Sequence, residues 1–221
     1  MALSRTVPFE SQFLPLPRFI TLEGGEGVGK STQSARLTDA LRRRGLHVVE
    51  TREPGGSDGA EAIRALLLGG AASRWNARAE ALLFAAARSD HVERIIRPAL
   101  ARGQWVVCDR FIDSSLAYQG AASGMGLADL RALHAFGSEG LYPHRTLLLL
   151  ADPDECARRC ESRDGGPRDR FAARDAGFHL RVENGFRALA NAEPDRFRLI
   201  DASAPEQDVA VRVSRAVEDL L

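Results

Sequence analysis

Gly24-Gly25-Glu26-Gly27-Val28-Gly29-Lys30-Ser31 is the stretch that decides the fold. It fits G-x-x-x-x-G-K-[ST], a turn whose backbone N–H groups cradle phosphates. Phe19-Ile20-Thr21-Leu22 precedes it as a short apolar run that reads as a buried strand. Behind it, Ala35, Leu37, Ala40 and Leu41 recur at helical spacing, and Gly45 supplies a stop. Strand, glycine turn and helix together are the setting that an anion-binding helix N-terminus requires. Lys30 is the only lysine in the chain; every other cationic side chain except histidine is arginine. A compact ammonium kept at this one position suits a point contact with phosphate, which a planar guanidinium makes differently.

Working outward, His47–Thr51 reads as a second strand ending in the polar turn Arg52-Glu53-Pro54-Gly55-Gly56. Ser57 or Asp58 then caps a helix through Leu68. A long helical pattern runs from Asn76 to Arg102, with Pro98 expected to kink or split it. Gln104–Cys108 is a third strand, closed by Asp109-Arg110. Helical stretches around Leu116–Tyr118 and Asp129–Phe136 follow, then a nearly all-apolar strand at Thr146–Leu150 and a helix opened by Asp152-Pro153. Arg163–Arg170 bears glycine, proline and three arginines and reads as a mobile, exposed segment. A helix over about 178–189, a fifth strand at Phe197–Ile200 and a last helix from Val209 to Leu221 complete the chain.

Strands alternating with helices predict an α/β fold: a five-stranded parallel sheet with helices on both faces, of the P-loop NTPase type. Residues 18–221 read as one domain with an arginine-rich lid at about 163–173, and residues 1–17 as a disordered N-terminal extension. Ligands of such sheets bind at the carboxyl ends of the strands, where the glycine turn, Arg52-Glu53 and Asp109-Arg110 all fall.

Bulk composition narrows the partners. The 221 residues are 44% hydrophobic and 27% charged, and 30 basic against 30 acidic side chains give a formal net charge of +0. That balance argues against a broad nucleic-acid face, and no apolar run reaches the length of a membrane span. The three cysteines, Cys108, Cys156 and Cys160, show no metal or redox spacing and read as thiols of a reducing compartment, hence cytoplasmic.

Phosphoryl transfer requires anions to be neutralised and held in line, with little covalent work. Lys30 can bridge the outer phosphates of a nucleotide, and the Ser31 hydroxyl can bind Mg²⁺. Asp109, in the Walker-B position, can hold that metal or its water. Arg52 and Arg110 are placed to grip a second phosphate. Arg163, Arg168 and Arg170 are the candidates for charge stabilisation from the lid. A GTP-binding switch is excluded, since its Asn-Lys-x-Asp stretch needs a lysine that the chain lacks after Lys30.

These motifs together resemble the bacterial thymidylate kinases, which transfer the γ-phosphoryl of ATP to dTMP. The resemblance covers the chain from about Arg18 onward. It rests on Phe19–Gly24, Thr51-Arg52-Glu53-Pro54-Gly55-Gly56, Leu83–Arg88, Asp109-Arg110-Phe111, Ser114–Gly120 and Asp169-Arg170-Phe171. It implies ATP binding by Gly24, Gly25, Glu26, Gly27, Val28, Gly29, Lys30, Ser31 and Thr32. For dTMP it implies that Phe84 stacks on thymine, Arg88 donates to O4, and Ser115 and Gln119 line the base pocket. Tyr118 would lie beneath the deoxyribose, Arg52 and Arg110 would hold the phosphate, and Glu26 would sit near the sugar and that phosphate. The loop interior holds no basic residue, so catalysis by lid arginines is the implied style. One departure stands out: Ala172 occupies the place of the usual glutamate, with Glu183 or Asp175 as candidate substitutes. The resemblance also implies a homodimer, with the helix face Ala79–Ala87 as a candidate surface. Two alternatives stay open: a kinase for another nucleoside monophosphate, and a non-catalytic nucleotide-binding regulatory module.

Overall fold

The computed structural model describes residues 16–71, 73–162, 170–171 and 173–221. Most of the N-terminal extension, and Arg163, Arg168, Asp169 and Ala172 of the expected lid, therefore lie outside the described residues. Five strands, β1 (Phe19–Glu23), β2 (Val48–Arg52), β3 (Trp105–Asp109), β4 (Arg145–Leu150) and β5 (Phe197–Asp201), form one sheet in the order β2-β3-β1-β4-β5. Every pairing is parallel. The predicted α/β architecture is the observed one.

The pleat explains the apolar runs. Phe19, Val106, Cys108 and Leu148 enter one core layer, and Ile20, Leu22, Val107, Leu147 and Leu149 enter the other. Strands buried on both faces have no need of a polar side. Helices α1 (Lys30–Arg43) and α9 (Glu206–Arg215) cover the second layer through Leu37, Leu41, Val209 and Val213. The first is covered from α3 (Ala77–His91), α6 (Leu127–Ser138) and α8 (Ala176–Ala192). Two more helices, α2 (Asp58–Leu68) and α7 (Pro153–Ser162), lie between strands, and Asp152 Oδ1 accepts from the N–H groups of Asp154 and Glu155 at the start of α7.

Local differences from the sequence reading have physical causes. The pattern from Asn76 to Arg102 is three pieces: α3, a π-helical turn over Val92–Ile96, and α4 (Arg97–Ala101). Pro98 sits at the second position of α4, directly after the π turn, where the regular i→i−4 ladder is already interrupted. A second π segment, Leu116–Ala122, continues α5 (Ile112–Ser115). The last helix stops at Arg215, and a short 3₁₀ turn over Glu218–Leu220 follows it. Arg170, read as exposed, is buried, because Glu80 draws it into the molecule.

Candidate active site

Strand register brings the site residues to one rim. Arg52 at the end of β2 pairs with Asp109 at the end of β3, which pairs in turn with Leu22 beside Glu23. The glycine turn leaves β1 between them. Gly24 has φ +137°, and a Cβ there would meet the Leu149 carbonyl at 2.4 Å, so only glycine lets the turn pass this close to β4. Lys30, at the first position of α1, folds back to donate from Nζ to the Gly25 carbonyl at 2.5 Å. Burial lowers its pKa, with Arg110 adding to the effect while Glu26, Asp109 and Glu23 oppose it. The ammonium is thus held at the turn and desolvated.

Ser31 Oγ donates to Asp109 Oδ2 at 2.6 Å. Asp109 Oδ1 is buried and takes no partner among the described residues. A hydroxyl beside a carboxylate with one unused oxygen is an oxygen donor set suited to Mg²⁺.

Arg110 has φ +70°, a left-handed backbone rare for a residue with a Cβ. Its neighbours hold it there. Its N–H donates to the Leu22 carbonyl at 3.0 Å, and the next N–H, of Phe111, donates to Glu23 Oε1 at 2.7 Å. Ser114 Oγ donates to Glu23 Oε2 at 2.6 Å and accepts from Arg110 Nη1 at 3.1 Å. Burial pushes the Glu23 carboxyl up to about 8, and Asp113 adds to this, while Arg110, Ser114 and Phe111 pull it down. The Arg110 guanidinium itself meets Glu26 Oε1 at 2.6 Å and the Gly24 carbonyl at 3.0 Å, and lies over the Tyr118 ring. Arg110 holds the Glu26 carboxyl down at about 2 against the opposing pull of burial.

Next along the cleft, Arg88 is buried. Its Nε donates to Glu53 Oε2 at 2.8 Å, and its Nη2 donates to Ser115 Oγ at 2.8 Å and to the Phe111 carbonyl at 3.4 Å. Nη1 is left without a partner among the described residues. Glu53 Oε1 lies 3.1 Å from His91 Nδ1, and His91 Nε2 lies 2.7 Å from Thr51 Oγ1. Gly56 is required beside this chain: a Cβ there would meet both His91 Nε2 and Thr51 Oγ1 at 2.5 Å. Periodicity alone makes Arg88 a solvated helix face; the buried Glu53 carboxylate turns it inward.

One cavity of about 260 Å³ joins these groups. Of the expected residues, Glu26, Gly27, Gly29, Lys30, Ser31, Arg52, Phe84, Arg88, Asp109, Arg110, Ser115, Tyr118 and Gln119 line it. Gly24, Gly25, Val28 and Thr32 do not: Val28 is packed in the core and Thr32 is exposed on α1. Any contact from Val28 to a phosphate is therefore a main-chain one. Arg170 does not line the cavity either, and its guanidinium is committed to Glu80. Neither candidate for the missing glutamate reaches the cleft. Asp175 caps α8, accepting from Phe178 N at 2.8 Å, and Glu183 pairs with Arg187 at 2.8 Å. Sequence reasoning put Glu53 at the rim and Phe171 in a motif without a role in the pocket, and passed over Arg64 and Leu68, although all four line it; Glu80, outside the lining, was passed over too. The spacing of Glu80, Phe84 and Arg88 along one helix face was the available signal.

Comparison with known proteins agrees with this geometry. The thymidylate kinase family model matches residues 22–213. A thymidylate kinase of Rhizorhabdus wittichii is 62% identical over 204 residues, covering 92% of this chain and 98% of the relative. One from Bacillus pumilus is 42% identical over 203 residues, covering 92% and 96%. The crystal structure of thymidylate kinase from Ehrlichia chaffeensis superposes with a TM-score of 0.76 at 32% identity, covering 92% of this chain and 100% of that one. A glycine turn and a buried arginine pocket on one rim, in a chain aligned over nearly its whole length, place it: the chain belongs to the thymidylate kinase family.

Proposed function

We propose that the chain transfers the γ-phosphoryl group of ATP to dTMP, giving dTDP and ADP, a step toward dTTP. The observation that carries this is the continuity of one cavity from Lys30 and Ser31 through Arg110 to Phe84, Arg88 and Gln119. A phosphate cradle and a base-sized pocket share it, with a second set of phosphate-gripping cations between them.

In this reading, Lys30 and the main-chain N–H groups of the glycine turn hold the outer phosphates of ATP. Arg110 and Arg52 hold the acceptor phosphate in line, so that one of its oxygens bonds to the γ-phosphorus as the bond to the ADP oxygen breaks. Ser31 and Asp109 are the residues that would hold Mg²⁺, which supplies charge neutralisation at the transferring group when bound. Phe84 offers a stacking face and Arg88 Nη1 a donor to a base carbonyl. Arg163 and Arg168 are the remaining candidates for lid catalysis. The test is incubation with ATP, Mg²⁺ and a panel of nucleoside monophosphates. Preferential formation of dTDP supports the reading. Preference for another monophosphate, or no turnover at all, overturns it in favour of another kinase or a regulatory module.

The chain is proposed to act as a homodimer in the cytoplasm. Leu66 on α2, Leu82 on α3 and Phe136 on α6 are exposed on neighbouring helices, with Phe136 at 91%. Exposed apolar side chains on adjacent helices favour burial against a second copy. Among the described residues no helix is long and apolar enough to cross a membrane.

A further inference from the structure

Glu80 sits two turns before Arg88 on α3, with a buried side chain and no place in the cleft lining. Its carboxylate pairs with Arg170, whose side chain is fully buried, and Gln119 Nε2 donates to Glu80 Oε1 at 2.9 Å. Arg174 approaches the same carboxylate at 4.0 Å. Among the described residues the Arg170 guanidinium also meets the Leu67 carbonyl at 3.3 Å and lies over the Phe171 ring. An arginine does not shed its proton in a protein, and a buried cation needs a counter-charge. Glu80 is that counter-charge, and a carboxylate paired with a guanidinium can only accept.

The consequence falls on Gln119. A side-chain amide has one donor end and one acceptor end, and either can face a neutral partner. Against an ionised carboxylate only the NH₂ end fits. The carbonyl end is then left over; it takes no partner among the described residues, and Gln119 lines the cavity. Ser115, which holds Arg88 Nη2, lies four residues before Gln119 along the same helical stretch, and Arg88 and Gln119 both line the cavity.

We propose that Glu80 is a specificity-determining positioning residue, which locks the Gln119 amide so that the pocket presents a donor beside an acceptor. This rests on the dTMP-kinase reading of the cleft. A donor beside an acceptor matches a ring carbonyl beside a ring N–H, the edge of a 4-oxopyrimidine such as thymine or uracil. Cytosine offers an amino group beside an unprotonated nitrogen and meets both protein groups wrongly. An edge that leaves buried polar groups unpaired is rejected far more strongly than one that only changes shape. Arg170, in this account, maintains the charge on Glu80 and acts through it.

The test is the charge-neutral double variant Glu80→Gln/Arg170→Gln, assayed for kcat/KM with dTMP, dUMP and dCMP. With no fixed anion at position 80, the Gln119 amide turns over freely. The preference for dTMP over dCMP is expected to fall by at least ~10-fold, while the preference for dTMP over dUMP stays constant, because those two share the edge. A merely structural role would lower all three together, and that outcome, or an unchanged dTMP-to-dCMP ratio, overturns the proposal. If the wild-type protein does not act on dTMP at all, the function reading fails first and separately. Should the variant not fold, NMR of the wild-type complex decides. The imino N3–H of bound dTMP is expected to be hydrogen-bonded to the Gln119 side-chain carbonyl; contact of the base with the Gln119 NH₂ protons instead overturns the proposal.

Discussion

The Ser31 hydroxyl donates to the Asp109 carboxylate across 2.6 Å, joining the first turn of α1 to the end of β3. Those two residues are 78 positions apart in sequence and meet because β1 and β3 are parallel neighbours. Asp109→Asn is expected to weaken apparent Mg²⁺ affinity on the order of 10–100-fold, with KM for dTMP little changed. Initial rates titrated with Mg²⁺ at saturating dTMP measure this.

Lys30→Ala is expected to cut kcat by about 10²–10³-fold or more, as removal of a dedicated donor at a developing charge does. The ammonium is buried and its charged form is disfavoured there by desolvation. Its loss is therefore expected to leave the melting temperature unchanged or raised. A coupled assay alongside thermal melting separates the two effects.

Arg88→Ala is expected to raise KM for dTMP far more than KM for ATP. It also carries a cost that periodicity alone does not suggest. Glu53 loses the cation at 2.8 Å and stays buried, at about 3–5 kcal/mol of stability. The paired variant Arg88→Met/Glu53→Gln is expected to recover most of that stability while dTMP binding stays weak. Denaturant unfolding and substrate titration together check both halves.

Arg163→Ala and Arg168→Ala are expected to lower kcat more than they raise KM for dTMP. Arg170→Ala is expected to behave differently, lowering the melting temperature, since it strips the buried Glu80 of its cation. Equal kinetic signatures and unchanged melting across all three would return Arg170 to the catalytic group.

His134 sets an acid limit. Burial, with Arg88 adding to it, depresses its pKa to about 4 from 6.5. Its Nε2 donates to the Leu141 carbonyl at 2.7 Å, and Nδ1 is buried without a partner among the described residues. Phe111 and Tyr142 pack edge-on against the ring. The folded state thus favours the neutral ring. Stability tied to this group is full above about pH 6.5 and is lost as pH falls from there toward 4, where the unfolded chain takes up the proton first. Melting temperature is expected to drop over that window in the wild-type protein and to flatten in His134→Gln.

Particular residues show how far the sequence could be read. The glycine turn was legible because its chemistry is local: φ at Gly24, the strand before it and the helix after it are set by neighbours in sequence. The strands were legible because burial on both faces leaves an unbroken apolar run, as in Leu147–Leu149. Phe84, Arg88 and Gln119 were legible through resemblance, while their burial and partners were not.

What the sequence alone determined was the sheet, the glycine turn and the family of the chain, since each rests on short-range patterns of φ, apolar spacing and small residues. Only the tertiary structure decided that Arg170 turns inward to Glu80, that Arg88 is held by Glu53, and that Glu26 is the anion against Arg110. Each is a charge pair between residues far apart in sequence. The partner of a charge is set by which elements pack together and by how much water they exclude, and neither is written in any local stretch of the chain.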